Sequence, residues 1–93
     1  MSYVYILRCS DGTLYTGHTD NLSSREQTHN DGFGSRYTAS RRPVKVVYFE
    51  EFDSTAAAIA RERQLKRWPA GKKEALIAGN LSLLKALGAR RRR

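Results

Sequence analysis

The chain has 93 residues, with 17 Lys and Arg against nine Asp and Glu, a formal charge of +8. That length supports one compact domain around one modest core and excludes a second folding unit. One cysteine and two histidines exclude an intramolecular disulfide and a thiolate-rich zinc site, so any resident metal is expected to be a hard cation, magnesium or manganese, held mainly by carboxylate and water.

In chain order, "YVYILRC", "SDGT" and "LYTG" predict two strands joined at Asp11-Gly12, a dipeptide that accepts the positive φ of a tight hairpin. The two strands are therefore expected to be antiparallel neighbours. Asp20 or Asn21 then caps a helix that runs through Arg25 and His29 and stops near "NDG", where Gly32 can turn left-handed. Residues 31 to 43, "DGFGSRYTASRRP", are the longest irregular stretch. "VKVVYFEEF" predicts a third strand, whose continuous apolar centre implies cover on both faces. Asp53 or Ser54 caps "TAAAIARERQLKRW", a helix that Pro69 ends. "KKEALIAG" and "NLSLLKALG" predict two further short helices, split at Gly79-Asn80. The whole is an α+β domain over 1–88, followed by a basic tail over 89–93.

The charge is uneven. From Ala70 onward the balance is +6, leaving only +2 for everything before it. A field of this kind attracts polyanions, nucleic acid ahead of an anionic membrane surface. "YVYIL" is too short for a secretory core and no apolar run nears the roughly 20 residues of a membrane span. The cytoplasm is the expected compartment, with a monomer as the default state.

Glu62 is the most informative residue. At about 100° per residue it falls about 40° from Ala58 and about 60° from Ile59 and Leu65, inside the apolar arc of its helix. An inward carboxylate needs a partner, either an arginine from the sheet or first helix, or a metal ion. Arg25 and His29, spaced i and i+4, share a helix face, and a guanidinium suits both a carboxylate and phosphate oxygens. Alternation in "YVYIL" puts Tyr3, Tyr5 and Leu7 on one strand face, with Val4 and Ile6 on the other. Gly17 removes a side chain two residues after Tyr15, which lets another group approach the backbone.

This combination, from Tyr3 to Arg25, resembles the GIY-YIG nuclease domain, and the whole chain is similar to its small stand-alone bacterial branch, the UPF0213-type proteins. "YVY" stands for the first tripeptide, with Tyr3 in place of glycine and Tyr5 retained. "YTG" stands for the second, with Thr16 in place of isoleucine and Tyr15 and Gly17 retained. Arg25 follows ten residues after Tyr15, His29 takes a place held by tyrosine or histidine, and Glu62 in "RERQLK" matches the metal-binding glutamate. His18 falls where some branches carry lysine. The resemblance implies a three-stranded antiparallel sheet flanked by helices and a metal-dependent endonuclease. Its site would comprise Tyr5, Tyr15, Arg25, His29 and Glu62, with one Mg2+ or Mn2+ on Glu62 and either tyrosine taking the proton of the attacking water.

Arginine with interleaved aromatics also suits phosphate contact and base stacking. His18, Arg36, Tyr37, Arg41, Arg42 and Lys66 are the expected nucleic-acid contacts, with DNA favoured over RNA. Two rival readings stay open at this stage: a nucleic-acid-binding module without turnover, and a basic surface that docks an acidic protein.

Overall fold

A computed structural model of the chain describes residues 1–79. The expected helix over 80–88 and the basic tail over 89–93 lie outside the described residues. Three strands form one antiparallel sheet: β1 (Ser2–Arg8), β2 (Leu14–Thr19) and β3 (Lys45–Phe52), in the order β2-β1-β3. The helices are α1 (Leu22–Asn30), the one-turn α2 (Arg36–Ala39), α3 (Thr55–Lys66) and α4 (Ala70–Ala78).

The hairpin between β1 and β2 closes as expected around Gly12, whose φ is +86°. Its amide bonds to the Cys9 carbonyl, and the Cys9 amide bonds to the Thr13 carbonyl, both at 2.9 Å. Of the two candidate caps for α1, Asn21 does the work, its side chain accepting from the Ser24 amide at 3.0 Å. Asp20 instead accepts from the Ser2 hydroxyl. Ser54 caps α3 by accepting from the Ala57 amide at 3.1 Å.

Because β1 is central, both of its faces are covered. Val4 and Ile6 pack with Ala58 and Leu65 of α3, all fully buried. Each large apolar side chain buried in this way contributes about 1.5–3 kcal/mol. On the opposite face Tyr5, Leu7, Cys9 and Val44 form a second cluster, closed over by Tyr15, Leu22, Tyr37 and Val46.

Two sequence expectations need correcting. The apolar run of β3 is covered only in part: Val46 packs on one face and Val47 and Tyr48 on the other, but β3 is an edge strand, none of its residues is fully buried, and Phe49 is 52% exposed. The run arises from an irregularity between Ile6 and Leu7, which pair with Tyr48 and Val46 respectively. The extra residue lets Val47 and Tyr48 both pack on the α3 side. The stretch over 31–43 is also not wholly irregular. Ser35 caps α2 by accepting from the Thr38 amide at 3.1 Å, and this one turn matters for the site.

Candidate active site

Tyr5 lies opposite Gly17 in the β1–β2 ladder, and a Cβ at Gly17 would sit 2.5 Å from the Tyr5 hydroxyl. The missing side chain is therefore the space in which the phenol lies across β2. Its oxygen is 3.0 Å from His29 Nε2, and His29 Nδ1 is 2.7 Å from Thr38 Oγ1. Thr38 Oγ1 also lies 3.0 Å from Ser35 Oγ and 3.4 Å from the Ser35 carbonyl; with Thr38 donating to that carbonyl, the ring takes the Nδ1–H tautomer and Nε2 accepts the phenol proton. His29 is 1% exposed. Burial, and then the charge of Arg25, hold its pKa below the ordinary value, which keeps the ring neutral at pH 7.

Tyr15 completes this wall. Its ring meets His29 edge-on with centroids 5.2 Å apart and stacks against Tyr37 at 6.1 Å. The Arg41 guanidinium lies 3.9 Å from the Tyr37 centroid. The Tyr15 hydroxyl has no hydrogen-bond partner among the described residues, and the residue is half-buried.

Glu62 approaches from the other face of the sheet. The α3 periodicity turns it inward as expected, with its side chain 12% exposed. Its partners are not an arginine: Oε1 meets His18 Nδ1 at 2.5 Å and Oε2 meets Lys66 Nζ at 2.9 Å. Burial would raise the Glu62 pKa, but the hydrogen bonds from Lys66 and His18 outweigh it, so the carboxyl sits below its usual value and is ionised. The two faces meet around β2, which is an open edge. Lys66 Nζ, bonded to Glu62, also lies 6.0 Å from the Tyr15 ring centroid, and the charges of Arg25 and Glu62 both act on Tyr5. The Tyr5 phenol is raised far above its ordinary pKa, first by burial, then by Tyr15 and Glu62, with Arg25 opposing.

Arg25 is exposed and makes no side-chain hydrogen bond or ion pair among the described residues. The alternative in which an arginine partners Glu62 is not met, because His18 and Lys66 occupy its oxygens. Arg36 is likewise exposed and unpaired. Other residues named from the sequence as nucleic-acid contacts are tied into the fold. His18 orients Glu62. Arg41 bridges Asp11 at 3.1 Å and the Tyr37 carbonyl at 2.9 Å, and Arg42 donates to the Ala39 and Asn30 carbonyls.

Sequence reasoning passed over Thr38 and Gly34, which set the His29 ring. A Cβ at Gly34 would fall 2.1 Å from His29 Nδ1. Gly34 does not have a positive φ, so the position needs glycine for space rather than for backbone freedom. The double glycine in "DGFGS" was the available signal.

A hard divalent ion fits Glu62. The carboxylate is ionised, with His18 on one oxygen and the half-exposed Lys66 ammonium on the other, so an ion would take the place of Lys66. No cluster of three or more His, Cys, Asp or Glu that could cage a metal occurs among the described residues. A lone carboxylate, with water and substrate phosphate as the remaining ligands, is a normal magnesium arrangement.

The fold is a three-stranded antiparallel sheet flanked by helices, and it carries Tyr5, Tyr15, Arg25, His29 and Glu62 on β1, β2, α1 and α3. Residues 1–74 match the family model described as the GIY-YIG catalytic domain, and the chain belongs to the GIY-YIG family. It is similar to a UPF0213 protein of Syntrophus aciditrophicus, 51% identical over 85% of this chain and 92% of the relative. A UPF0213 protein of Natronomonas pharaonis is 49% identical over 82% and 89%. The solution NMR structure of a UPF0213 protein from Bacillus halodurans matches with a TM-score of 0.55 and 38% identity, covering 86% of each chain. Nucleases of this family act on nucleic acid and use divalent metal ions. No helix among the described residues is long and apolar enough to cross a membrane.

Proposed function

We propose that the chain is an endonuclease that hydrolyses DNA phosphodiester bonds, with one Mg2+ or Mn2+ held by Glu62. When bound there, such an ion supplies Lewis-acid stabilisation of negative charge on the phosphate and leaving oxygen. The observation that carries the reading is the Tyr5–His29–Thr38 chain, set around the same sheet edge as an ionised Glu62 and an unpaired Arg25.

Tyr5 has too high a pKa to stand as a free phenolate at neutral pH. It can still accept a proton from the attacking water if its own proton passes at the same time to His29 Nε2, 3.0 Å away. Thr38 holds the ring for this transfer by fixing the Nδ1–H tautomer. Tyr15, with its free hydroxyl, orients the water against the phosphate. Arg25 meets the charge that builds on the phosphate oxygens as the new P–O bond forms and the old one breaks. The leaving oxygen is protonated from solvent.

Relaxation of supercoiled plasmid in Mg2+, Mn2+ or chelator tests this reading. Wild type is expected to nick with either metal and not with chelator, and Arg25→Ala to nick at least about 100-fold more slowly. Plasmid left intact by wild type in both metals would reject hydrolysis and favour binding without turnover.

The relay also fixes a pH dependence. His29 must be neutral to take the proton, and its pKa is depressed below 6.5. Cleavage is therefore expected to be flat from pH 7 down to about 6.5 and to fall only as pH drops through the lowered His29 value. An acid limb centred above pH 7 would count against His29 as the acceptor.

A further inference from the structure

The open edge of β2 carries charge that the hydrolytic step does not use. Two adjoining cavities run along it, of about 270 Å³ and about 350 Å³, and share Leu14, Tyr37 and Lys73. The first is walled by Tyr15 and Lys66, and so begins at the site. The second reaches Gly12 in the hairpin and Glu74 of α4.

Lys73 is half-buried between them and has no hydrogen bond or ion pair from its ammonium among the described residues. Burial, and then the nearby charge of Lys66, push its pKa down, and an anion beside the ammonium would offset both effects. Glu74 cannot serve, because both of its oxygens are taken by Arg8 at 2.7 Å. The neighbouring Lys72 is turned away and lies 4.0 Å over the Trp68 ring. Lys66 reaches Glu62 at the near end of the groove, and Lys73 stands beyond Tyr15. The groove that starts at Lys66 and passes Tyr15 thus reaches Lys73 next.

We propose that Lys73 binds a phosphate of the substrate strand next to the scissile one, so that the strand leaves the site along the edge of β2 toward the hairpin at Gly12. The inference rests on the nuclease reading of the site and deepens it. It is tested by fluorescence anisotropy with a fluorescein-labelled single-stranded 12-mer, titrated in chelator over a range of salt so that no turnover enters. Lys73→Gln is expected to weaken binding at least about threefold and to reduce the slope of log K against log salt by about 0.7. Lys73→Arg should restore both, and Lys45→Gln, on the opposite edge of the sheet, should match wild type. With metal present, Lys73→Gln should raise KM for the 12-mer while kcat changes less than about twofold.

An unchanged slope in Lys73→Gln overturns the subsite whether or not the chain cleaves, as does failure of wild type to bind the 12-mer at low salt. Loss of inorganic phosphate binding in Lys73→Gln with oligonucleotide binding intact would assign the groove to free phosphate, and also overturns it. A changed slope in a chain that cuts nothing supports the subsite and removes the hydrolysis alone.

Discussion

Glu62→Gln is expected to lower kcat for DNA cleavage by at least about 100-fold with little change in KM. The substitution keeps the shape of the side chain and one acceptor oxygen, so His18 or Lys66 retains a partner and the α3 packing through Ala58 and Leu65 is untouched. What it removes is the negative charge, the one feature of this position that a divalent ion requires. Melting within a few degrees of wild type alongside the lost turnover would place the defect in chemistry rather than in folding. A variant that cut at half the wild-type rate would mean that the carboxylate serves only to hold His18 and Lys66.

Gly34→Ala is expected to damage stability and turnover together. The added methyl would lie 2.1 Å from His29 Nδ1, a distance that no real pair of atoms adopts, so either the ring or the loop must move. If the ring moves, the buried hydrogen bonds to Tyr5 and Thr38 are lost with it. Overpacking and two unmet buried polar groups together cost about 2–4 kcal/mol, which in a domain of this size lowers Tm by roughly 10–20 °C. The residual folded protein should also cleave slowly, because the proton acceptor no longer faces the phenol. Thermal melts and cleavage rates on the same preparation check both halves. A stable, active Gly34→Ala would show that the loop yields without disturbing His29.

Much of the framework follows from local signals. The Asp11-Gly12 hairpin, the caps at Asn21 and Ser54 and the inward turn of Glu62 each depend on residues close in sequence, where propensity and periodicity decide. The candidate residues Tyr5, Tyr15, His29 and Glu62 are on elements that the pattern places, the first three in contact on one face of the sheet and Glu62 on the other. Some misreadings involve long-range neighbours, and others involve local bonds that periodicity does not encode, such as Lys66 to Glu62 and the Ser35 cap of α2. Continuous apolar character in β3 is produced by a register irregularity against β1, which one strand's sequence cannot reveal. The partners of Glu62 come from β2 and from one turn further along α3. Both are among the residues whose type and position in the sequence suggest nucleic-acid contact. Arg41 and Arg42 belong to the same group, yet the hairpin carboxylate at Asp11 and the carbonyl ends of α1 and α2 engage them. Gly34 and Thr38 matter only because His29 folds back onto them, a contact visible in three dimensions alone.

Hydrolysis as proposed requires Glu62 to receive a divalent ion rather than serve as a buried anchor for two basic side chains. The direct measurement is Mn2+ binding by electron paramagnetic resonance, with a non-cleavable phosphorothioate oligonucleotide present, in wild type and Glu62→Gln. One bound ion per chain in wild type, lost in the variant, is the result expected. Mn2+ occupancy that is the same in both proteins would contradict it.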